Sequence, residues 1–159
     1  MPVHRAFVAT VFALSLALPL AAGSSPAPAG PLGDVTNGYF DALANADWRA
    51  LANATSSTFH VVEPDGTRVS AGEFFRRLSE HYLIASAPVG NVKIGQSSIS
   101  ATSATETVET NSWDYAMLGT PHGPVLERDS AVHQLTWIKS ADGNWLLDED
   151  RLTSANHTP

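Results

Sequence analysis

Three residues have side chains suited to moving a proton: Glu63, Tyr39 and His133. Glu63 ends a strand-like apolar run, Tyr39 lies on the apolar stripe of a helical pattern, and His133 alternates with Trp137 along a long strand. A carboxylate in an apolar cleft holds protons more tightly and works as a base near neutral pH. We therefore predict that the three converge on one cavity, with Glu63 as base and Tyr39 and His133 as hydrogen-bond donors. Tyr39 as a core aromatic and Glu63 as a turn residue remain the alternatives.

Aromatic residues are predicted to line this cavity and bind the ligand: Phe59, Phe74, Tyr82, Trp113 and Trp137. Asp148, Glu149 and Asp150 follow one another on the last predicted strand, but consecutive strand residues point to opposite faces and cannot bind one ion together. The sequence has no phosphate-binding glycine loop and no dinucleotide fingerprint. We expect no metal and no cofactor.

The elements that must position these residues follow in a clear order. A helical stripe begins at Val35 with Asp34 as its predicted cap, and Asp47 is placed to cap a second short helix. After the turn at residues 63–66, Ser70 and Glu73 form a capping box that opens a third helix. Long Ser-, Thr- and Val-rich strands joined by hairpins then run to the end of the chain. Helices first and strands afterwards predict an α+β fold.

The N-terminal segment is typical of export. A basic start, an apolar run and small residues predict a secretory signal peptide over residues 1–23, with Ala29 as the alternative cleavage position. An uncleaved membrane anchor is the other interpretation, although the run is short for a span. Residues 24–33 are predicted as a flexible linker, residues 34–154 as one domain and residues 155–159 as a tail. The expected location is secreted or periplasmic.

Composition limits the possible partners. The chain has no cysteine, so disulfides and thiol nucleophiles are excluded. Its formal charge of −7, with basic residues mostly scattered singly, argues against nucleic acid as a partner. The expected partner is a small apolar ligand or substrate, with no stable membrane span after cleavage.

The sequence resembles the nuclear-transport-factor-2-like superfamily, in its SnoaL-like and ketosteroid-isomerase-like branch. The pattern VxxxYFDALANADWxxL from Val35, the strand ending in Glu63-Pro64-Asp65-Gly66, SAGEF at Ser70 and DGNWLL at Asp142 carry the resemblance. It implies a cone-shaped, curved mixed or antiparallel sheet with three N-terminal helices enclosing a pocket. Relatives of this shape often form homodimers through the sheet, so a homodimer is expected.

Ketosteroid isomerases are similar in a further detail. They have a first-helix tyrosine that donates to the substrate oxyanion and a carboxylate before proline that moves the proton, at the spacing of Tyr39 and Glu63. Glu63 replaces their aspartate, and their second donor, a late-strand aspartate, falls near His133 when a gap is allowed. The resemblance leaves two functions open. One is a cofactor-independent isomerase, cyclase or dehydratase that transfers a proton next to a carbonyl; the other is a non-catalytic binder of an apolar ligand or a dimeric assembly module.

Overall fold

The computed structural model describes residues 31–82, 89–116 and 125–158, so the predicted signal peptide and most of the linker lie outside the described residues. The described chain begins with two helices, followed by two strands, a third helix and four long strands. The helices are α1 (Pro31–Ala44), α2 (Trp48–Ala54) and α3 (Ala71–Tyr82). The strands are β1 (Thr55–Val62), β2 (Arg68–Ser70), β3 (Val89–Ile99), β4 (Ser103–Ala116), β5 (Val125–Lys139) and β6 (Trp145–Thr158).

The strands form one open, mixed sheet in the order β2-β1-β6-β5-β4-β3. All neighbouring strands are antiparallel except β1 and β6, which run parallel. The register between β5 and β6 shifts twice, so that Asp148 and Thr153 are extra residues in β6. Such bulges bend and twist a sheet locally. The predicted α+β class is confirmed.

The helices cover one face of the sheet, which we call the inner face. Leu135 and Trp137 of β5 and Tyr39 and Leu43 of α1 are at most 2% exposed in the core. In β5 the residues at odd positions from 131 to 137 are buried and their neighbours are not. The prediction that His133 shares a strand face with Trp137 is therefore confirmed.

Local sequence signals set the helix ends. α1 begins at Pro31, three residues before the predicted cap, and Asp34 lies in its first turn. Proline is favoured at a first helical position because it lacks an N–H, and an early carboxylate complements the helix dipole. Asp47 caps α2 as predicted, accepting from the Ala50 N–H at 2.9 Å. Ser70 accepts from the Glu73 N–H at 3.4 Å at the start of α3.

Two further features fix the limits of the domain. Residues 155–158 were expected as a tail. They continue β6 and pair with Arg128 to Ala131 of β5, so the described chain ends in a paired strand. At the other end, Thr36 of α1 contacts the buried carboxylate of Glu106 in β4, which also accepts from Ser97 Oγ at 3.2 Å. This contact holds α1 against the sheet.

Among the described helices, none is long and apolar enough to cross a membrane.

Candidate active site

Four buried polar side chains form a continuous hydrogen-bonded chain on the inner face, which we call the Tyr39–Thr110 network. The Tyr39 hydroxyl donates to Asp150 Oδ2 at 3.2 Å, and Asp150 Oδ1 lies 2.8 Å from His133 Nδ1. On the other side of the imidazole ring, Thr110 Oγ1 lies 3.3 Å from Nε2. All four residues are at most 6% exposed. Buried polar groups are costly unless they are paired, and here each one is.

Each member comes from a different element. α1 supplies Tyr39, β5 supplies His133 and β4 supplies Thr110. The direct cross-strand partner of His133 is Val108, so Thr110 is a diagonal neighbour of His133 on the same face of the sheet. Asp150 reaches the inner face through the bulge at Asp148. Leu147 and Asp150 are three residues apart and both buried, whereas strict alternation would place them on opposite faces.

The electrostatics of the network favour a single proton arrangement. Burial, and then the neighbouring Asp150 carboxylate, raise the pKa of Tyr39 well above its usual value of 10.0, so the phenol keeps its proton and donates it. Since the Asp150 carboxylate only accepts, we assign a proton to His133 Nδ1. The lone pair of the neutral imidazole is then at Nε2, facing Thr110. A hydrogen-bonded carboxylate behind an imidazole makes the outer nitrogen a base and stabilises the imidazolium.

Aromatic rings surround the network. Tyr39 makes edge contacts with Phe40, Phe59 and Trp137, at centroid distances of 5.2, 6.4 and 6.4 Å. The Phe40 ring stands edge-on to His133 at 5.3 Å. Farther out, Phe59 packs on Phe74 at 5.9 Å. Of the residues predicted to bind ligand, Phe59, Phe74 and Trp137 therefore lie in the core around Tyr39.

Glu63 lies in a different cluster. Its carboxylate is 2.7 Å from Arg77 Nη1 of α3, and Arg77 Nε also binds Glu73 Oε1 at 2.7 Å. Hydrogen bonds from Arg76 and Arg77 lower the pKa of Glu73 to about 2, and the bond to Glu73 is the main cause that raises the pKa of Arg77. The contacts of the described residues join Tyr39 to His133 through Asp150, and they join Glu63 to α3 instead.

Trp113 is 46% exposed and faces the side of the sheet away from the helices, which we call the outer face. It lines a cleft of about 580 Å³ together with Asn111, Ser112, Arg128, Asp129, Ser130 and Asn156. Ser112 is at an inner-face position of β4, but Asn111, Trp113 and Ser130 face outward, so the sheet separates the cleft from the network. The side chain of Tyr82 lies outside the described residues.

Sequence reasoning missed two members of the network. Asp150 was visible only as one of three consecutive acids, although it shares strand parity with the apolar Leu152, which was a usable signal. Thr110 is one of many hydroxyl residues in β4, and its diagonal position beside His133 follows only from the register.

The acidic run in β6 divides between the two faces. Asp148 accepts from the hydroxyls of Ser56 and Thr58, both at 2.6 Å, and these bonds lower its pKa. Glu149 contacts His60 Nε2 at 2.9 Å on the same outer face. In the described part of the chain, no group of three histidine, cysteine or acidic side chains is placed to hold a metal ion.

Comparison with solved structures identifies the fold. A ketosteroid isomerase-like protein from Erwinia carotovora atroseptica superposes with a TM-score of 0.63 at 16% identity, covering 78% of this chain and 95% of its own. A proposed dehydratase of the nuclear-transport-factor-2-like family from Streptomyces avermitilis gives 0.62 at 14%, covering 77% and 92%. A proposed scytalone dehydratase from Novosphingobium aromaticivorans gives 0.65 at 14%, covering 79% and 84%.

At these identities the likeness concerns the fold, and the predicted resemblance is confirmed at that level. No protein-family model matches the sequence, and no curated protein matches it either.

The buried phenol makes a prediction about titration. Subtracting the alkaline tyrosinate titration of Tyr39→Phe from that of the wild type isolates Tyr39, and we expect its ionisation well above pH 10.0. A group whose folded pKa is raised stabilises the fold fully below its unfolded pKa and loses that effect as pH rises through the folded pKa. The free energy of unfolding of the wild type relative to Tyr39→Phe should therefore fall above about pH 10. In urea-unfolded samples Tyr39 should titrate normally, and a normal titration in the folded protein would contradict the network.

Proposed function

We propose that this protein, which has the cone fold of the nuclear-transport-factor-2-like superfamily, is a cofactor-independent isomerase or dehydratase that moves a proton next to a carbonyl group. The observation that carries the proposal is the buried Tyr39–Asp150–His133 chain, which orients an imidazole and places a carboxylate behind it. The ketosteroid isomerase-like and dehydratase names among the structures of the same fold support the reaction class.

In the proposed reaction, His133 Nε2 removes a proton from the carbon next to the substrate carbonyl, which leaves an enolate. The imidazolium is stabilised by Asp150 Oδ1, while Tyr39 holds the second carboxylate oxygen in place. In an isomerisation, Nε2–H returns the same proton to another carbon of the enolate. In a dehydration, it protonates a β-hydroxyl group, which leaves as water while the enolate electrons form the carbon–carbon double bond. Proton transfer by a positioned side chain accelerates such steps by about 10²–10⁴-fold.

The enolate oxygen needs hydrogen-bond donors, and two buried atoms have no hydrogen-bond partner among the described residues: Ser112 Oγ and Trp137 Nε1. Both belong to residues on the inner face, but Asp129, the cross-strand partner of Ser112, and Trp137 are eight residues apart on β5, so a small substrate could use only one of them. An unpaired donor in an enclosed site is a strong stabiliser of developing negative charge.

This assignment moves the base from Glu63 to His133. The Glu63 side chain is 7% exposed and held by Arg77, so we interpret it as an anchor between the β1–β2 turn and α3. The Tyr39 hydroxyl is directed at Asp150, and its role is to orient the carboxylate and not to donate to the substrate.

Binding of an apolar ligand without catalysis is the rival function. It is favoured by the fact that Tyr39 is 0% exposed and its hydroxyl is already satisfied by Asp150. The two functions differ in whether proton exchange accompanies binding, and exchange can be measured without knowing the natural substrate.

The test uses β-hydroxy ketones and β,γ-unsaturated ketones, with deuterium exchange at the α-carbon followed by NMR. The wild type should accelerate exchange of those it accepts. His133→Gln should lower the rate by about 10²–10⁴-fold because the base is lost, and Asp150→Asn should lower it comparably because the imidazole loses its orienting carboxylate.

Two matched carboxylate variants complete this experiment. Glu149→Gln changes the neighbouring acid on the outer face and should leave the rate near that of the wild type. Glu63→Gln should do the same once the folded fraction is confirmed by circular dichroism. Loss of exchange in Glu63→Gln with full activity in His133→Gln would restore Glu63 as the base. Binding without exchange in the wild type would support the rival function.

Export is a separate part of the proposal. α1 begins at Pro31, so cleavage after Gly23 or after Ala29 leaves every described element intact. Intact-mass analysis of exported protein should give an N-terminus between Ser24 and Pro31. Recovery of Met1 on membrane-embedded protein would contradict this expectation.

We also propose a homodimer formed through the outer face of the sheet. That face carries the half-buried apolar side chains of Val132 and Ile138 among Ser, Thr and Gln residues. Light scattering at micromolar concentration should give twice the chain mass, and Val132→Lys should lower the mass to that of a monomer by burying a charge. Asn53→Lys, on exposed α2, serves as the control. A monomeric wild type would refute the dimer.

A further inference from the structure

Thr110 holds a position in the network that the acid–base chemistry described above leaves unexplained. Its Oγ1 atom lies 3.3 Å from His133 Nε2 and 3.5 Å from the Ala131 carbonyl oxygen. The residue is 1% exposed, so these two contacts are the hydrogen bonds that its hydroxyl makes to the described residues. A hydroxyl has one proton to donate and lone pairs that accept. It can therefore donate to one of these atoms at a time.

We propose that Thr110 is a two-state positioning residue that is hydrogen-bonded to His133 Nε2 in both protonation states of the imidazole. With the neutral ring, the Thr110 hydroxyl donates to the Nε2 lone pair. With the imidazolium, Nε2–H donates to Oγ1, and the hydroxyl proton rotates toward the Ala131 carbonyl. No bond between heavy atoms changes, and Thr110 keeps its own proton throughout.

The geometry makes this exchange possible. Thr110 and Ala131 are direct cross-strand partners, so the carbonyl acceptor is fixed by the sheet, whereas His133 is held by Asp150 from behind. Among the described residues, the groups that make hydrogen bonds or ring contacts with the imidazole besides Thr110 are Asp150 from β6, with Tyr39 behind it on α1, and the uncharged Phe40 ring. Among these described neighbours, Thr110 is the group beside Nε2. The network thus offers a hydrogen-bond acceptor to the charged ring and a hydrogen-bond donor to the neutral ring, so no polar atom of the ring is left unpaired in either state.

The catalytic consequence rests on the proposed function. During the transfer itself, the hydroxyl proton turns to the Ala131 carbonyl before the ring is charged, so for that moment the Nε2 lone pair has no donor and can take a substrate proton. Afterwards Oγ1 accepts from the imidazolium and stabilises it. Residues of this kind change the rate of the proton-transfer step more than they change substrate binding.

The experiment compares Thr110→Val with Thr110→Ser by NMR of ¹⁵N-labelled protein. At high pH, wild type and Thr110→Ser should show an Nε2 resonance shifted by a hydrogen-bond donor, and Thr110→Val should show that of a free lone pair. At low pH, the Nε2–H proton should be slow to exchange with water in the first two proteins and fast in Thr110→Val. Thr107→Val, on the same strand but facing outward, is the matched control and should resemble the wild type.

Turnover gives the second measurement. If His133 is the base, Thr110→Val should lower kcat by about 10- to 100-fold with little change in KM. This factor corresponds to the loss of one hydrogen bond to a charged group. Thr110→Ser keeps the hydroxyl and should retain most of the wild-type kcat. Identical Nε2 signals in Thr110→Val and wild type at both pH values would overturn the proposal. Changed signals with no effect on kcat would overturn its catalytic consequence alone. A wild type with the expected signals and no proton exchange would refute the proposed function and leave the two-state hydrogen bond established.

Discussion

The structure depends on one buried carboxylate that must be satisfied from two directions. Asp150 accepts from Tyr39 on α1 and from His133 on β5, so the same side chain joins the helix layer to the sheet and aligns the imidazole. Removing either donor would leave part of a buried carboxylate unpaired, which costs more than the bond contributes when it is formed. The packing of α1, the bulge in β6 and the orientation of His133 are therefore parts of one constraint. A site built in this way is rigid, which suits the role of base that we propose for His133.

The bulge at Asp148 separates two sets of charges that lie next to each other in the sequence. It leaves Asp148 and Glu149 on the outer face, where they bind the β1 side chains of Ser56, Thr58 and His60, and it turns Asp150 inward. The outer contacts hold the parallel β1–β6 pair together, which has no hairpin to fix its register. The inner residue is then free for the network. One irregularity in the strand thus supports both the sheet and the candidate site.

Glu63 shows how the contacts of an acid before a proline depend on what packs over it. Such a residue ends a strand beside a turn, and its function depends on what packs over it. Here α3 places Arg77 against it, at 2.7 Å, and Arg77 is in turn held by Glu73. The arginine–carboxylate pair fixes the β1–β2 turn to α3, while the imidazole of His133 on β5 has Asp150 as its carboxylate partner. Glu63 and Asp150 thereby have different partners, which are set by their neighbours in the fold and not by their motifs.

Much of the fold was determined by local sequence. The apolar stripe of α1, the Asp47 cap, the Ser70 cap and the alternation that places His133 and Trp137 together all follow from period and hydrogen-bonding capacity, and the structure has them. The partners of the site residues were decided by tertiary structure. Asp150 faces inward because of a bulge that no periodic pattern indicates, Thr110 lies beside His133 because of the β4–β5 register, and Glu63 is neutralised by a helix that follows it in the chain. Sequence period determines which face a side chain takes, but contacts between distant segments depend on register and on irregularities, and these are set only when the whole sheet packs.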